Sequence, residues 1–462
     1  PAPYTHTPTM LSPIAGSTNH FYYGFAYFCP PAGTSPMPYW ATAPFGSCTD
    51  ATEFSLMTVE PKDKEFISQM SAFKAQNPSL KVILSIGGWN FPSSFFSEMA
   101  ASDASRAKFV SSAKAFLTAN NLDGIDIDWE FPCSPPRDDA VKITCDKFRQ
   151  TTDKGGNCPQ DQASLLALAQ DLRTALGSSS YISIASQAGE KNWVNMNLAA
   201  VTPFIDHWHV MTYDYTVGDI PDGALMSPNA PLYTPPAPAT QMSIDYSVQG
   251  YLAAGVPASK IMLGIPFYGH SWYKPGLTDW QSFGNNGTMQ GKCCGAFKST
   301  YGAKPGKGSG QCGTLMFNEL RAAGGQSYYD KTTESAIMYF EKASGDGYTE
   351  AGTWVAYNDE TSIAAITDYA KKQKLAGVFI FDTSMDTVDF SSGTFTFELM
   401  KQIAAATGSG PAPGPGPTPG PAPPSPSPGC PGGSLANCIS TCPSDPLPAY
   451  KACVAECAKR CP

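Results

Sequence analysis

The chain has 462 residues, 39 acidic against 30 basic, and a net charge of −9. That balance argues against nucleic acid as a partner, and no run approaches the roughly 18 apolar residues needed to span a bilayer. Its 14 cysteines, an even number, favour disulfides in an oxidising compartment over a metal site, and its length exceeds one core unless part of it closes as a barrel.

In chain order, residues 1–17 are rich in Pro, Thr and Ser and show no strand pattern. Residues 21–28 read as an aromatic strand, 62–77 as a helix, and 81–86 as a strand running into Gly87-Gly88-Trp89. A helix over 103–120, with Ser and Asp at its start, leads to Asp123-Gly124-Ile125-Asp126-Ile127-Asp128-Trp129-Glu130. Strand side chains alternate faces, so Asp126, Asp128 and Glu130 share one face. Ile125, Ile127 and Trp129 occupy the other and suit packing against helices. Core packing has no use for a row of like charges. Crowding raises at least one pKa, so an acid held protonated near neutral pH is the expected product. The competing structural reading is an exposed edge strand with acids as an anti-aggregation device, and the β-branched and aromatic opposite face speaks against it. Asp123 has the other parity and is expected to be structural, at the strand start.

Further along, a helix is predicted over 163–176, then strands over 182–186, 207–213, 261–267 and 377–381. That makes seven strands alternating with helices, as a barrel of parallel strands requires. Asn286-Gly287-Thr288 is an N-glycosylation pattern, consistent with secretion. After residue 409 the composition changes: the linker 410–429 includes ten prolines within the 18 residues 411–428. Such a run adopts extended polyproline II, reaching roughly 50 Å at ~3.1 Å per residue. The module 430–462 carries six cysteines. Cys438 and Cys442 are four apart, as are Cys453 and Cys457, so each pair lies on one helical face. Residues 443–448 break the helix between them. The expectation is a small helical hairpin stapled by Cys442–Cys453, Cys438–Cys457 and Cys430–Cys461, with zinc as the rival. Its partner is a glycan or a protein; the sequence does not choose.

The pattern Asp-x-x-Asp-x-Asp-x-Glu at 123–130 resembles the signature of the family 18 glycoside hydrolases, the chitinases. Lys81-Val82-Ile83-Leu84-Ser85-Ile86-Gly87-Gly88-Trp89 is similar to the family's preceding strand with its Ser-x-Gly-Gly ending. Val210-Met211-Thr212-Tyr213-Asp214-Tyr215 is similar to its Met-x-Tyr-Asp strand, and 264–269 and 376–382 to its last two. The resemblance implies an α/β fold: a (β/α)8 TIM barrel over residues 1–409, with an α+β insertion over 272–353 between strands seven and eight. It also implies a strand before residue 21. None is legible there, so the expectation is a processed or truncated chain whose first barrel strand is missing or supplied in an unusual way.

The resemblance implies roles as well. The family is an exception to two-carboxylate glycosidase chemistry because it uses the substrate itself. Glu130 would be the general acid, Asp128 would orient the substrate's acetamido nitrogen, and Asp126 would support Asp128. Tyr213 would donate to the acetamido oxygen and Asp214 would hold the sugar from the opposite side. Trp89, Gly88, Phe25, Met211 and Phe381 match substrate-binding positions, while Ser85 and Gly87 match structural ones. For the aromatics, core filling is the bland alternative. Phe381 stands where the family has a Trp, and His270 where an Arg is common. The implied function is hydrolysis of chitin or other N-acetylglucosamine-containing glycans, outside the cell and without metal or cofactor. A non-catalytic glycan-binding or extracellular structural protein is the alternative. An endo-N-acetylglucosaminidase acting on glycoprotein glycans shares the acidic motif.

Overall fold

Nine-residue β1 (His20–Phe28), His-Phe-Tyr-Tyr-Gly-Phe-Ala-Tyr-Phe, is aromatic at seven positions counting the histidine, a composition that favours the extended chain. The structure, a computed structural model, describes residues 7–35, 37–43, 46–136, 153–216, 227–235, 242–273, 314–342, 351–389 and 392–408. Short β2 (Leu56–Met57) pairs antiparallel with the end of β1. Then come β3 (Lys81–Gly87), β4 (Gly124–Asp128), β5 (Tyr181–Gln187), β6 (His207–Met211) and β7 (Ile261–Pro266). β8 (Tyr268–Tyr273), β9 (Thr314–Met316), β10 (Gln326–Asp330), β11 (Ser335–Phe340) and β12 (Thr353–Tyr357) form a separate antiparallel sheet in the order β10-β11-β12-β8-β9. Last, β13 (Gly377–Phe381) returns to the first sheet beside β7.

The main sheet therefore runs β13-β7-β6-β5-β4-β3-β1-β2, with the seven strands from β13 to β1 parallel. Those are the seven strands that the sequence predicts. Among the described residues no strand joins β13 to β1, so the sheet curls as an open part of a barrel. Residues 8–15 form a 3-10 turn and a short helix rather than a strand, and bury Leu11, Ile14 and Ala15 against Phe21, Phe73 and Phe397.

On the outer face Leu84, Ile86, Ile125, Ile127, Ile182, Ile184, Leu263 and Ile265 are buried against helices such as Asp103–Ala119 and Gln160–Leu176. Each such side chain contributes about 1.5–3 kcal/mol of burial. The Asp103–Ala119 helix begins where predicted, because the Ser102 hydroxyl accepts from the Ser105 amide and caps it. The inner face carries the polar residues, and register decides which of them meet: Ser85 lies opposite Asp126, and Asp126 opposite Ser183.

Two expectations are revised. Strand β6 stops at Met211, so Tyr213 and Asp214 lie beyond it rather than within a strand over 207–213. The antiparallel sheet takes in Tyr268–Tyr273 and runs to Tyr357, so it extends past the 272–353 boundaries because Ala356 pairs with His270. Two cystines that the sequence leaves open are Cys29–Cys48 and Cys133–Cys158. Asn286, the linker and the six-cysteine module with Cys430, Cys438, Cys442, Cys453, Cys457 and Cys461 lie outside the described residues.

Candidate active site

The acid row emerges from β4 at the C-terminal ends of the parallel strands, where barrel enzymes build their sites. Asp126 is buried at the centre of the sheet. Ser85 Oγ donates to its Oδ2 at 2.7 Å and Ser183 Oγ to its Oδ1 at 2.6 Å, the two hydroxyls that register brings to it. His209 Nδ1 is 3.5 Å from the same Oδ1. Burial alone would raise this carboxyl, but the hydrogen bond and charge of His209 and the two serine hydroxyls outweigh it and hold Asp126 below the usual carboxylate range.

Asp128 goes the other way. Burial, then Glu130, then Asp126 push it well above the ordinary aspartate value. Its Oδ1 is buried and has no hydrogen-bond partner among the described residues. One strand face thus carries one carboxyl held low and another held high two residues apart, the outcome expected when crowded carboxylates share a site. Glu130 follows just beyond the strand and is buried too. Its exit is fixed from behind, where Trp129 stacks on Phe96 at 5.5 Å and donates through Nε1 to Ser93 Oγ at 2.8 Å.

The turn after β3 closes on this row. Gly88 N–H donates to the Asp128 carbonyl at 2.9 Å. Gly87 has φ +111°, and a Cβ there would lie 2.2 Å from that same carbonyl oxygen, so only glycine fits. Trp89 beyond it is 45% exposed, while Phe25, Met211 and Phe381 are half-buried. The Phe381 ring meets Tyr268 edge-on at 6.4 Å. The peptides Gly24–Phe25, Glu130–Phe131 and Phe381–Asp382 are cis.

Tyr213 sits just past β6, with room for its ring because residue 264 on β7 is glycine; a Cβ there would fall 2.6 Å from Tyr213 Cε1. Burial, then Asp128, Asp214, Glu130 and Asp126, push its phenol well above the usual tyrosine range. It is therefore a neutral O–H donor facing the acids. Asp214 adopts φ +57° and accepts from Tyr268 Oη at 2.7 Å, with His270 Nε2 at 2.8 Å and its own N–H given to Asn229 Oδ1 at 2.9 Å.

Asp123 lies at the far end of β4. Its carboxylate accepts from the Val82 amide at 2.7 Å and from Lys74 Nζ at 3.0 Å, tying two strands and a helix together away from the acid row. Sequence reasoning did not single out Ser183, His209, Tyr22, Tyr181, Tyr268 or Asn229. The signal available for Ser183 and His209 was strand parity; which strands would be neighbours in register was not. Among the described residues no group of histidines, cysteines and carboxylates could hold a metal ion.

The model of the glycosyl hydrolases family 18 matches residues 4–386. Chitinase A1 of Niallia circulans is 31% identical over 337 residues, 69% of this chain and 42% of that protein. The chain thus spans less than half the length of that relative. Among solved structures, chitinase ChiA74 from Bacillus thuringiensis has a TM-score of 0.69 at 24% identity, covering 88% of this chain and 68% of that one. Human YKL-39, described as a pseudo-chitinase with retained chitooligosaccharide-binding properties, has a TM-score of 0.64 at 19% identity, covering 87% and 94%. With a family match over most of its length and the acid row at the strand ends, the chain belongs to glycosyl hydrolase family 18.

Proposed function

We propose that the chain hydrolyses β-1,4-linked N-acetylglucosamine polymers with retention, using the substrate's own acetamido group as nucleophile. The observation that carries this is the pairing of Asp126, held below the usual carboxylate range, with Asp128, held above it and with its Oδ1 unpartnered among the described residues, beside Glu130 and Tyr213. Glu130 gives its proton to the glycosidic oxygen as the bond to C1 breaks. The acetamido carbonyl oxygen bonds to C1, forming an oxazolinium ion. Asp128 Oδ1 accepts from the acetamido N–H and balances the developing positive charge, with Asp126 taking up the proton of Asp128. Tyr213 donates its O–H to the acetamido oxygen. Water then adds to C1 as Glu130 takes its proton, restoring the acetamido group and the starting charges.

Trp89 at the mouth and the antiparallel sheet beside it supply surface for several sugars of a long chain. Asp214, held by Tyr268 and His270, grips the sugar from the far side. The two cystines support a secreted enzyme, and the six-cysteine module remains proposed as a glycan- or protein-docking unit. The test compares wild type with Glu130→Gln on chitin oligosaccharides. Wild type should cleave them with retained configuration while leaving cellulose oligosaccharides intact. The variant should lose about 10²–10⁴-fold in kcat while still binding. The half-buried Phe381, where the family carries Trp, favours a second reading as a non-catalytic glycan-binding protein. Binding by wild type with no cleavage would establish that reading and sink the first.

A further inference from the structure

We propose that His209 is a positioning residue for the acid row: from the floor of the barrel it anchors Asp126, through contacts running to Tyr22 and Tyr181, in the orientation and charge state that leave Asp128 free to face the substrate. This rests on the hydrolase reading above and adds a residue to it.

His209 projects inward from β6 and is 4% exposed. Both ring nitrogens and one ring face have partners. Nδ1 faces Asp126 Oδ1 at 3.5 Å, and Nε2 lies 3.2 Å from the Tyr22 hydroxyl on β1 and 3.3 Å from the Tyr181 hydroxyl on β5. The ring stacks on Phe379 of β13 at 4.9 Å. With a phenol donating to Nε2, the tautomer that satisfies the network puts the proton on Nδ1, aimed at Asp126. Four strands thereby hold one imidazole in one orientation. Asp126 already accepts from Ser85 and Ser183. The imidazole edge beside that same oxygen favours the carboxylate, the stronger acceptor, over the protonated acid.

The other groups facing this floor do not compete for the role. His20 on β1 is pushed down to about 3 by burial, then by His209, His207 and Lys81. His207, two residues earlier on β6, is pushed down to about 4 by burial and then His209, with Asp206, Lys260 and Lys81 also acting on it. Both are neutral at working pH. Tyr22 and Tyr181 are raised by burial first and stay protonated. Lys81 on β3 sits over the Tyr181 ring at 5.6 Å. From β7 and β13 the neighbours Met262 and Phe379 are uncharged. His209 is thus the basic group in contact with Asp126.

The experiment is a pH titration of full-length protein carrying 13Cγ-labelled aspartate, with signals assigned through Asp126→Asn and Asp128→Asn, in wild type, His209→Leu and His209→Asn. Removing the donor should raise the lower step of the Asp126–Asp128 pair by about one pH unit. The acid limb of kcat on a chitin oligosaccharide should move up by the same amount, with KM changed less than about twofold because His209 touches no sugar. His209→Asn, which keeps an N–H donor, should recover part of both shifts. Should His209→Leu fail to fold, His209→Asn and Ser183→Ala carry the comparison, His209→Asn giving a partial shift of the same sign. Folded His209 variants whose aspartate titrations match wild type would overturn the proposal. The titration needs no turnover. A wild type that cleaves nothing therefore refutes the hydrolase reading while the same spectra still decide the place of His209.

Discussion

Asp126 and Asp128 stand two residues apart on one strand face, both buried, yet one is held below and the other above its ordinary titration range. Neighbours make the difference. Two serine hydroxyls donate to Asp126 and the His209 imidazole lies beside it, while Asp128 meets burial and two like charges. The sign for stability follows. A group whose folded pKa is raised, as for Asp128, contributes stability below its unfolded value of about 3.9 and loses it as pH rises through the folded value. Asp128→Asn removes that loss. Its Tm should therefore gain on wild type progressively as pH is raised from 4 towards 9, and a Tm difference independent of pH would contradict the assignment. Much of this was legible in the sequence, since parity alone placed three acids on one face and crowding called for a protonated one. Which aspartate would hold the proton was not legible. Ser85, Ser183 and His209 are 41, 57 and 83 positions from Asp126 along the chain, and only strand register brings them to it.

At the scale of elements, β4 works because its neighbours approach without side chains at chosen points. Gly87 at the end of β3 lets the turn rest on the Asp128 carbonyl. Gly87→Ala meets both a forbidden contact and a left-handed φ, so the turn must move and carry Asp128 with it. Unfolding should be easier by about 2–4 kcal/mol, and kcat should fall while the protein remains folded; a variant with wild-type rate and stability would refute this account. The Gly87-Gly88 pair is visible in the sequence, but the atom it makes room for is not. Strand identities were read correctly because alternation and β-branched runs are local. The ends of β6 and the extent of the antiparallel sheet were not, because Tyr213 leaves the sheet to fit over Gly264, and Tyr268–Tyr273 takes its partners from 44 to 86 residues further along the chain. Cystine pairing is likewise a matter of tertiary approach, which spacing does not give.

For the molecule as a whole, a strand's place in the sheet sets the pattern of local stability. β4 and β5 are paired on both sides, whereas among the described residues β13 is paired only with β7, and its side chains are half-buried throughout. Outer strands open more readily than central ones. Hydrogen–deuterium exchange followed by mass spectrometry should show peptides covering Gly377–Phe381 exchanging at least about tenfold faster than those covering Gly124–Asp128. Equal protection would mean that β13 is covered along its free side. The seven-strand count was legible from alternation of strands and helices. How the sheet curls around its polar inner face was not, since it depends on contacts across the interior such as His209 on Phe379.

Trp89 gives this arrangement an optical consequence. Of the tryptophans described, Trp40, Trp129, Trp193, Trp208, Trp272 and Trp354 are buried, and Trp89 alone is open to water. Its emission is accordingly the most red-shifted of that set and the one within reach of a water-borne quencher such as iodide. Because it stands beside the turn that rests on the Asp128 carbonyl, shielding of that fluorescence reads out whether the cleft is filled, without label, substrate turnover or any change to the chain.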